Sequence, residues 1–173
     1  MRLAARASMQ PVAESVRTRI ERWGFNLFPA YRGTGARVTH IAADYSEVRV
    51  RLPLNFRTRN YVGTIFGGSM YGALDPVYML MLIRRLGPEY VVWDKAASIR
   101  FRRPGRETLF AVFRLPASEV EAVRNEADEH GKTERLFTVE LINAQGEVHA
   151  TCEKLLSIRK KGGVAPAPRD QIH

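Results

Sequence analysis

The stretch "NYVGTIFGGSMYGALDPVYMLMLIRRLG", residues 60 to 87, holds the residue types with the most chemical reach. Asn60 opens a polar loop, the Gly67–Gly68 pair follows, and Asp75–Pro76 sits inside a long apolar run. If a helix begins near Gly67, the first N–H groups, around Phe66 to Ser69, lack intrahelical acceptors. They form a positive-ended cradle for an anion or a polarised carbonyl. Glycine at 67 and 68 lets a substrate come close to the backbone. Asp75 lies about two turns further along, too deep to reach its own helix N-terminus, so a partner chain would have to bring a second cradle to it. Pro76 removes one helical hydrogen bond and leaves the carbonyl of Gly72 without its donor. Two geometries satisfy this: a kink that widens a pocket beside a carboxylate, or a helix that ends at Asp-Pro, with Asp75 capping a second helix from Pro76 to Leu86.

These residues need elements to hold them. Residues 10–23 predict an amphipathic helix, because Val12, Val16, Ile20 and Trp23 share one helical face and Gly24 is a natural stop. Residues 37–53 predict a strand, with Val48, Val50 and Leu52 alternating against Glu47, Arg49 and Arg51, and Pro53 ends it. The central helix is expected over 67–86. Beyond it, strands are expected over 90–103, 107–116, 133–143 and 148–160, and Ile99 and Phe101 alternate with Arg100 and Arg102 in the first. A short helix over 118–131 interrupts them, with Ser118 as N-cap, Glu121 as capping-box partner and Gly131 as stop. Short turns between the strands predict a mostly antiparallel sheet in an α+β domain. One helix on one such sheet leaves a face or edge for a second copy to cover. Residues 161–173 are Gly/Pro-rich and basic, and are expected to be disordered.

Length and composition set outer limits. The 173 residues fit one domain, and a hydrophobic content of 45% is enough for a packed core. A single cysteine, Cys152, excludes an intramolecular disulfide framework and points to a reducing compartment. Residues 1–10 carry two arginines with no apolar segment behind them, so no secretory signal is expected. The most apolar window, residues 70–86, is interrupted by Asp75, Pro76, Arg84 and Arg85, so a protein that does not span a membrane is expected. The net charge of +9 favours phosphorylated or otherwise anionic partners, or simply keeps the protein soluble.

Asn60, Phe66-Gly67-Gly68 and Asp75 together resemble the hotdog-fold thioesterases of the phenylacetate-pathway (PaaI-like) type. That family carries an Asn, a His-Gly-Gly six residues on, and an acidic residue nine residues after the His. The spacings here are the same, with Phe66 in the place of the His. The wider text "GTIFGGSMYGALDPVYMLML", followed by "YVVWDKAASIRFRRPGR", is similar to a hotdog branch labelled as tetrameric acyl-CoA thioesterases. The resemblance covers roughly residues 12–160. It implies a hotdog domain over 1–160, in which a long central helix is wrapped by a mostly antiparallel sheet, preceded by an N-terminal helix. It also implies hydrolysis of acyl-CoA by a cytoplasmic homodimer or dimer of dimers, with no cofactor beyond the coenzyme A of the substrate.

In the implied mechanism the N–H groups of Gly67 and Gly68 polarise the thioester carbonyl. Asp75 of the facing subunit is general base or nucleophile, and Asn60 orients the water or the loop. Phe66 supplies an N–H and walls an acyl pocket, or marks a binder without catalysis. The strand position that often carries a Ser or Thr in relatives falls near Asp94, an acid that would raise the pKa of a neighbouring carboxylate unless Lys95 neutralises it. Arg100, Arg102, Arg103 and Arg106 are candidates for the phosphates of coenzyme A, and equally for a charged strand edge that resists aggregation. Arg57 and Arg59 form a second basic patch. His40, His130 and His149 have no metal-ligand spacing, and Met70, Met79 and Met81 are expected to pack the central helix, the alternative being that they line a chain-accepting tunnel.

Three functions compete at this point: a thioesterase, a non-catalytic acyl-CoA-binding domain, and a basic nucleic-acid-binding protein. The arginines are not interleaved with aromatic residues and no nucleic-acid-binding signature occurs, so neither nucleic acid nor membrane is expected as a partner. A dehydratase is disfavoured, because the helix acid lacks the partnering His.

Overall fold

The computed structural model describes residues 12–162. Its elements run α1 (Val16–Leu27), α2 (Pro29–Gly33), β1 (Arg37–Ile41), β2 (Glu47–Leu52), α3 (Gly67–Leu74), α4 (Val77–Leu86), β3 (Tyr90–Phe101), β4 (Leu109–Arg114), α5 (Ala117–His130), β5 (Lys132–Ile142) and β6 (Val148–Lys160). The six strands form one sheet in the order β1-β2-β4-β5-β6-β3, with every pairing antiparallel. The central helix α3–α4 lies on one face of it. Met70, Leu74, Met81 and Leu82 of the helix and Val50, Ala111, Phe113, Leu141 and Leu156 of the strands share one buried core. No described helix is long and apolar enough to cross a membrane.

Several expectations are met. The alternation of Val48, Val50 and Leu52 is the inward phase of β2, and Gly131 ends α5 in the left-handed region at φ 73°. Others are corrected. The single strand expected over 37–53 is a hairpin: the chain turns through Ala42–Ser46, with Tyr45 at φ 57°, and β1 folds back on β2. The N-cap of α5 is Pro116 and makes no side-chain bond, so Ser118 lies inside the helix and the capping box with Glu121 does not form. The residues of the expected tail from 163 onward lie outside the described residues, as do residues 1–11.

The N-terminal helix forms, but starts and ends later than its pattern predicted. Ser15 caps it in a capping box with Thr18, and Gly24 lies within it rather than stopping it. Its strongest apolar stripe, Val16, Ile20, Trp23 and Leu27, faces outward and is mostly exposed. The inward face carries Thr18, Glu21 and Phe25, together with an ion pair between Arg22 and Glu14 (2.8 Å). Periodicity identified the helix, but it could not say which side the core would take.

Paired surface carboxylates make the stability of this fold depend on pH in the acid range. Arg135 and Thr133 bond Glu126 and hold its carboxyl down at about 2, and Lys95 and Lys132 similarly lower Glu134. A carboxyl depressed in the folded state stabilises it above the unfolded value of 4.5, and that contribution is lost as pH falls towards the folded value. Thermal midpoints should therefore be flat from about pH 7 to 5 and drop below pH 4.5. Glu126→Gln should give a shallower drop in a melting series over that window.

Candidate active site

Asp75 sits where the central helix breaks. It is the C-cap of α3, and Pro76, which cannot donate a backbone N–H, is the N-cap of α4. Both keep right-handed helical torsions, so the axis continues through an interruption. Both geometries left open by the sequence hold in part: the helix divides at Asp-Pro, but the Asp75 side chain does not cap α4. It is turned aside to two other donors. Tyr71 Oη, one turn earlier on α3, donates to Asp75 Oδ1 at 2.6 Å, and Lys154 Nζ donates to the same oxygen at 2.5 Å.

Lys154 was not anticipated, and it is the centre of the cluster. It projects inward from β6 with 1% exposure and also pairs with Asp94 on β3 at 3.0 Å. Burial alone would push its pKa down; the two carboxylates more than offset that and raise it above the ordinary lysine range. The like-charge coupling expected between Asp75 and Asp94 is therefore replaced by a bridge through a shared cation. Lys95, the residue expected to neutralise Asp94, pairs with Glu134 at 2.8 Å. A signal for Lys154 exists in the sequence: Ala150, Cys152, Leu156 and Ile158 alternate on the buried phase of β6, and Lys154 falls on that same phase. A charged residue in register with four core residues must find a partner inside. Burial also pushes the Cys152 thiol up to about 11, so it stays protonated and packs rather than reacts.

The N-terminus of α3 is built by its loop. Asn60 accepts from the N–H groups of Val62 and Thr64 and donates to Thr64 Oγ1, so its side chain fixes the loop that leads into the helix. The Phe66 N–H, expected to be free, donates to the Thr58 carbonyl at 2.7 Å. The first open donors are therefore those of Gly67, Gly68 and Ser69, which have no intrahelical acceptor. The close approach that the glycines allow is taken up by aromatic rings of the same chain. A Cβ on Gly67 would lie 2.9 Å from the Phe101 ring, and one on Gly68 would lie 2.3 Å from the Phe66 ring. Phe66 and Phe101 are themselves more than half exposed and wall this helix end. Phe101 thus does not join Ile99 in the interior as its alternation implied.

Gly67 and Asp75 are separated by roughly 12 Å along the helix, at 1.5 Å per residue. One chain therefore does not bring its own cradle to its own carboxylate. Arg100, Arg102, Arg103 and Arg106 are all exposed around the end of β3, and Arg103 pairs with Glu147 at 3.0 Å. Arg57 lies over the Phe56 ring at 6.0 Å, away from the cluster. Met70 and Met81 are core residues as expected, whereas Met79 is only partly buried.

Asp75 also borders a cavity of about 680 Å³ between α1, α2 and the central helix. Its wall near Asp75 is formed by Gly72 and Pro76, where the helix is thinned by a missing side chain and a missing hydrogen bond.

Residues 17–158 match the family described as "Domain of unknown function (DUF4442)". The chain belongs to this family. No functionally curated protein matches it. Among solved structures, PA5026 from Pseudomonas aeruginosa, described as a protein of unknown function and probable thioesterase, superposes with a TM-score of 0.74 at 24% identity, over 86% of this chain and 98% of its own. OLEI01261 from Chlorobaculum tepidum, of unknown function, gives 0.68 at 14% identity over 84% and 94%. The thioesterase HI1161 from Haemophilus influenzae gives 0.60 at 12% over 83% and 91%. The shared architecture is the hotdog fold, an α+β arrangement with the central helix on an antiparallel sheet. In this DUF4442 chain the Asp75–Lys154–Asp94 cluster joins that central helix to β6 and to the edge strand β3.

Proposed function

We propose that the protein hydrolyses acyl-CoA thioesters as a homodimer. The N–H groups of Gly67 and Gly68 polarise the thioester carbonyl. Asp75 of the facing subunit takes the proton of an attacking water, or attacks the carbonyl carbon itself to form an anhydride that water then hydrolyses, supplying the proton for the departing thiolate. The carbon–sulfur bond breaks, coenzyme A leaves as a thiol once it regains the proton, and the free acid remains. No cofactor enters this chemistry. The observation that carries the proposal is the setting of Asp75: a half-exposed carboxylate, aimed by two fixed donors, at a helix break beside an apolar cavity. The thioesterase descriptions of PA5026 and HI1161 support the same class of reaction.

The edge strand β3 offers the surface for the partner subunit. This strand is an edge of the sheet, and six residues in succession, Trp93 to Ser98, are exposed. A long uncovered edge invites pairing. A second β3 related by a two-fold axis would cover it and bring one chain's helix N-terminus towards the other's Asp75. The outward stripe of α1 offers a second apolar surface for a dimer of dimers. Arg100, Arg102 and Arg106 stand at the end of β3 as phosphate ligands for coenzyme A in the cytoplasm.

Release of coenzyme A thiol from acetyl-, decanoyl-, palmitoyl- and phenylacetyl-CoA tests the activity, and sedimentation tests the dimer. Turnover of at least one thioester by a dimeric protein is expected. One observation favours a second function, a non-catalytic acyl-CoA-binding domain: Asp75 is engaged by the buried Lys154, as a structural counter-ion would be. Tight acyl-CoA binding without turnover on any substrate would select that alternative.

A further inference from the structure

The residues lining the cavity beside Asp75 fall into two chemically different groups along the central helix. One group is formed by Gly72, Asp75 and Pro76, at the helix break. In the other, Arg84 meets Glu21 and Tyr45. Asp75 and Arg84 are nine residues apart on the central helix, or roughly 13 Å at 1.5 Å per residue. Phe25 and Phe28 cover the slot from the side of α1 and α2, and Met79 and Leu80 face it from α4. Phe25, Met79 and Leu80 are only partly buried, although they face into the molecule rather than outward. A partly open, mostly apolar pocket of about 680 Å³ is the size of a small-ligand site and suits an apolar ligand.

Its construction is specific. Tyr31 Oη donates to the carbonyl of Ala73 at 3.2 Å and ties α2 to the central helix. A Cβ on Gly72 would lie 2.8 Å from Thr34 Cγ2, so this position is small because the wall passes close by. At the far end the charges satisfy one another. Glu21 accepts from the Tyr45 hydroxyl and pairs with Arg84 at 3.4 Å and with Arg17 at 3.1 Å. The hydroxyl of Tyr45 is pushed up to about 12 by partial burial and by Glu21, and stays protonated. Both guanidiniums turn onto Glu21, and between this cluster and Asp75 the lining is apolar, with Phe25, Phe28, Met79 and Leu80, so the part of a ligand that fills the slot is apolar. The slot is also longer than a single aromatic ring and has flexible methionine and leucine walls, which suits a linear chain.

We propose that this cavity is the acyl-chain site, taking a linear, saturated aliphatic chain of medium length. The carbonyl end lies at Asp75 and the methyl end stops against the Glu21–Tyr45–Arg84 cluster, with the whole chain held inside one subunit. The head-group assignment rests on the thioesterase proposal, whereas chain binding does not depend on turnover.

Gly24 provides the test. It lies on the cavity side of α1 with Glu21, Phe25 and Phe28, and a Cβ built on it meets nothing within 4 Å. Gly24→Phe therefore fills the slot without striking the backbone, and Gly24→Leu is the milder companion should the first fail to fold. Binding of hexanoate, decanoate and palmitate, and turnover of acetyl-CoA and decanoyl-CoA, are measured for each folded protein. The wild type should bind decanoate at least about tenfold better than hexanoate, from the burial of added methylenes. Either variant that keeps its melting temperature should lose that preference. Decanoate binding unchanged in a folded variant would overturn the proposal even if thioesters are hydrolysed. Gly24-dependent decanoate binding with no turnover of any thioester would uphold the chain site and remove the hydrolase.

Discussion

Asp75→Asn is expected to lower kcat/KM for acyl-CoA hydrolysis by at least about a hundredfold, the lower end of what a positioned base contributes. The amide has nearly the shape of the carboxylate and still accepts from the Tyr71 hydroxyl, which donates to Asp75 Oδ1 at 2.6 Å. It cannot take a proton from water or attack a carbonyl. Lys154 keeps Asp94 as counter-ion, so the fold should survive. Because the cavity wall is unchanged in volume, decanoate binding should persist. Steady-state thiol release, read beside a melting curve and a decanoate titration, separates the effects. Turnover that survives the substitution would make Asp75 a structural counter-ion for Lys154 and would move the base elsewhere.

The second large effect is expected at Lys154. Lys154→Met keeps an inward side chain of similar length but removes the cation between Asp75 and Asp94. Deleting one partner of a fully buried pair costs about 3–5 kcal/mol. Here both carboxylates are partly exposed and can regain water, so a loss of about 2 kcal/mol is expected, below that range. The pH dependence has a definite sign. Lys154 holds its proton more tightly folded than unfolded, so its contribution is complete below the ordinary lysine value of 10.5 and is lost only as pH rises through the higher folded value. The stability difference between wild type and variant, measured by urea unfolding, should thus stay constant from about pH 6 to 9. Activity should fall as well, because Asp75 loses the shorter of its two hydrogen bonds. A variant as stable as the wild type would show that the pair contributes no net stability and serves orientation alone.

The part of the site carried by one short stretch was legible. Gly67, Gly68, Asp75 and Pro76 fall within a few helical turns, so their spacing alone places two free N–H groups about 12 Å from a carboxylate at a helix break. Asn60 was legible for the same reason, since its loop bonds reach only to Val62 and Thr64. The engagement of the Phe66 N–H was not, because its acceptor, the Thr58 carbonyl, is brought there by a loop path rather than by helix periodicity. Asp94 shares a cation with Asp75, but the neutralising partner expected for it was a different lysine. Its neighbour in sequence, Lys95, lies across the pleat, while Lys154 comes from the strand paired with β3.

By itself the sequence determined the order of most helices and strands, though not α2 or the β1–β2 hairpin, together with the inward phase of β2, an interruption of the central helix at Asp75–Pro76 and the open donors before it. All of these follow from periods of two or 3.6 residues and from the chemistry of glycine and proline, which act over a few residues. Tertiary structure alone decided which face of α1 turns inward, since an amphipathic pattern has no knowledge of the surface it will meet. It also decided the meeting of Lys154 with Asp75, 79 residues away in sequence, and the roofing of the central helix by α1 and α2 into an apolar slot. These depend on strand register and on packing between elements distant in the chain, where one residue of slip would send Lys154 to solvent and leave Asp75 without its cation.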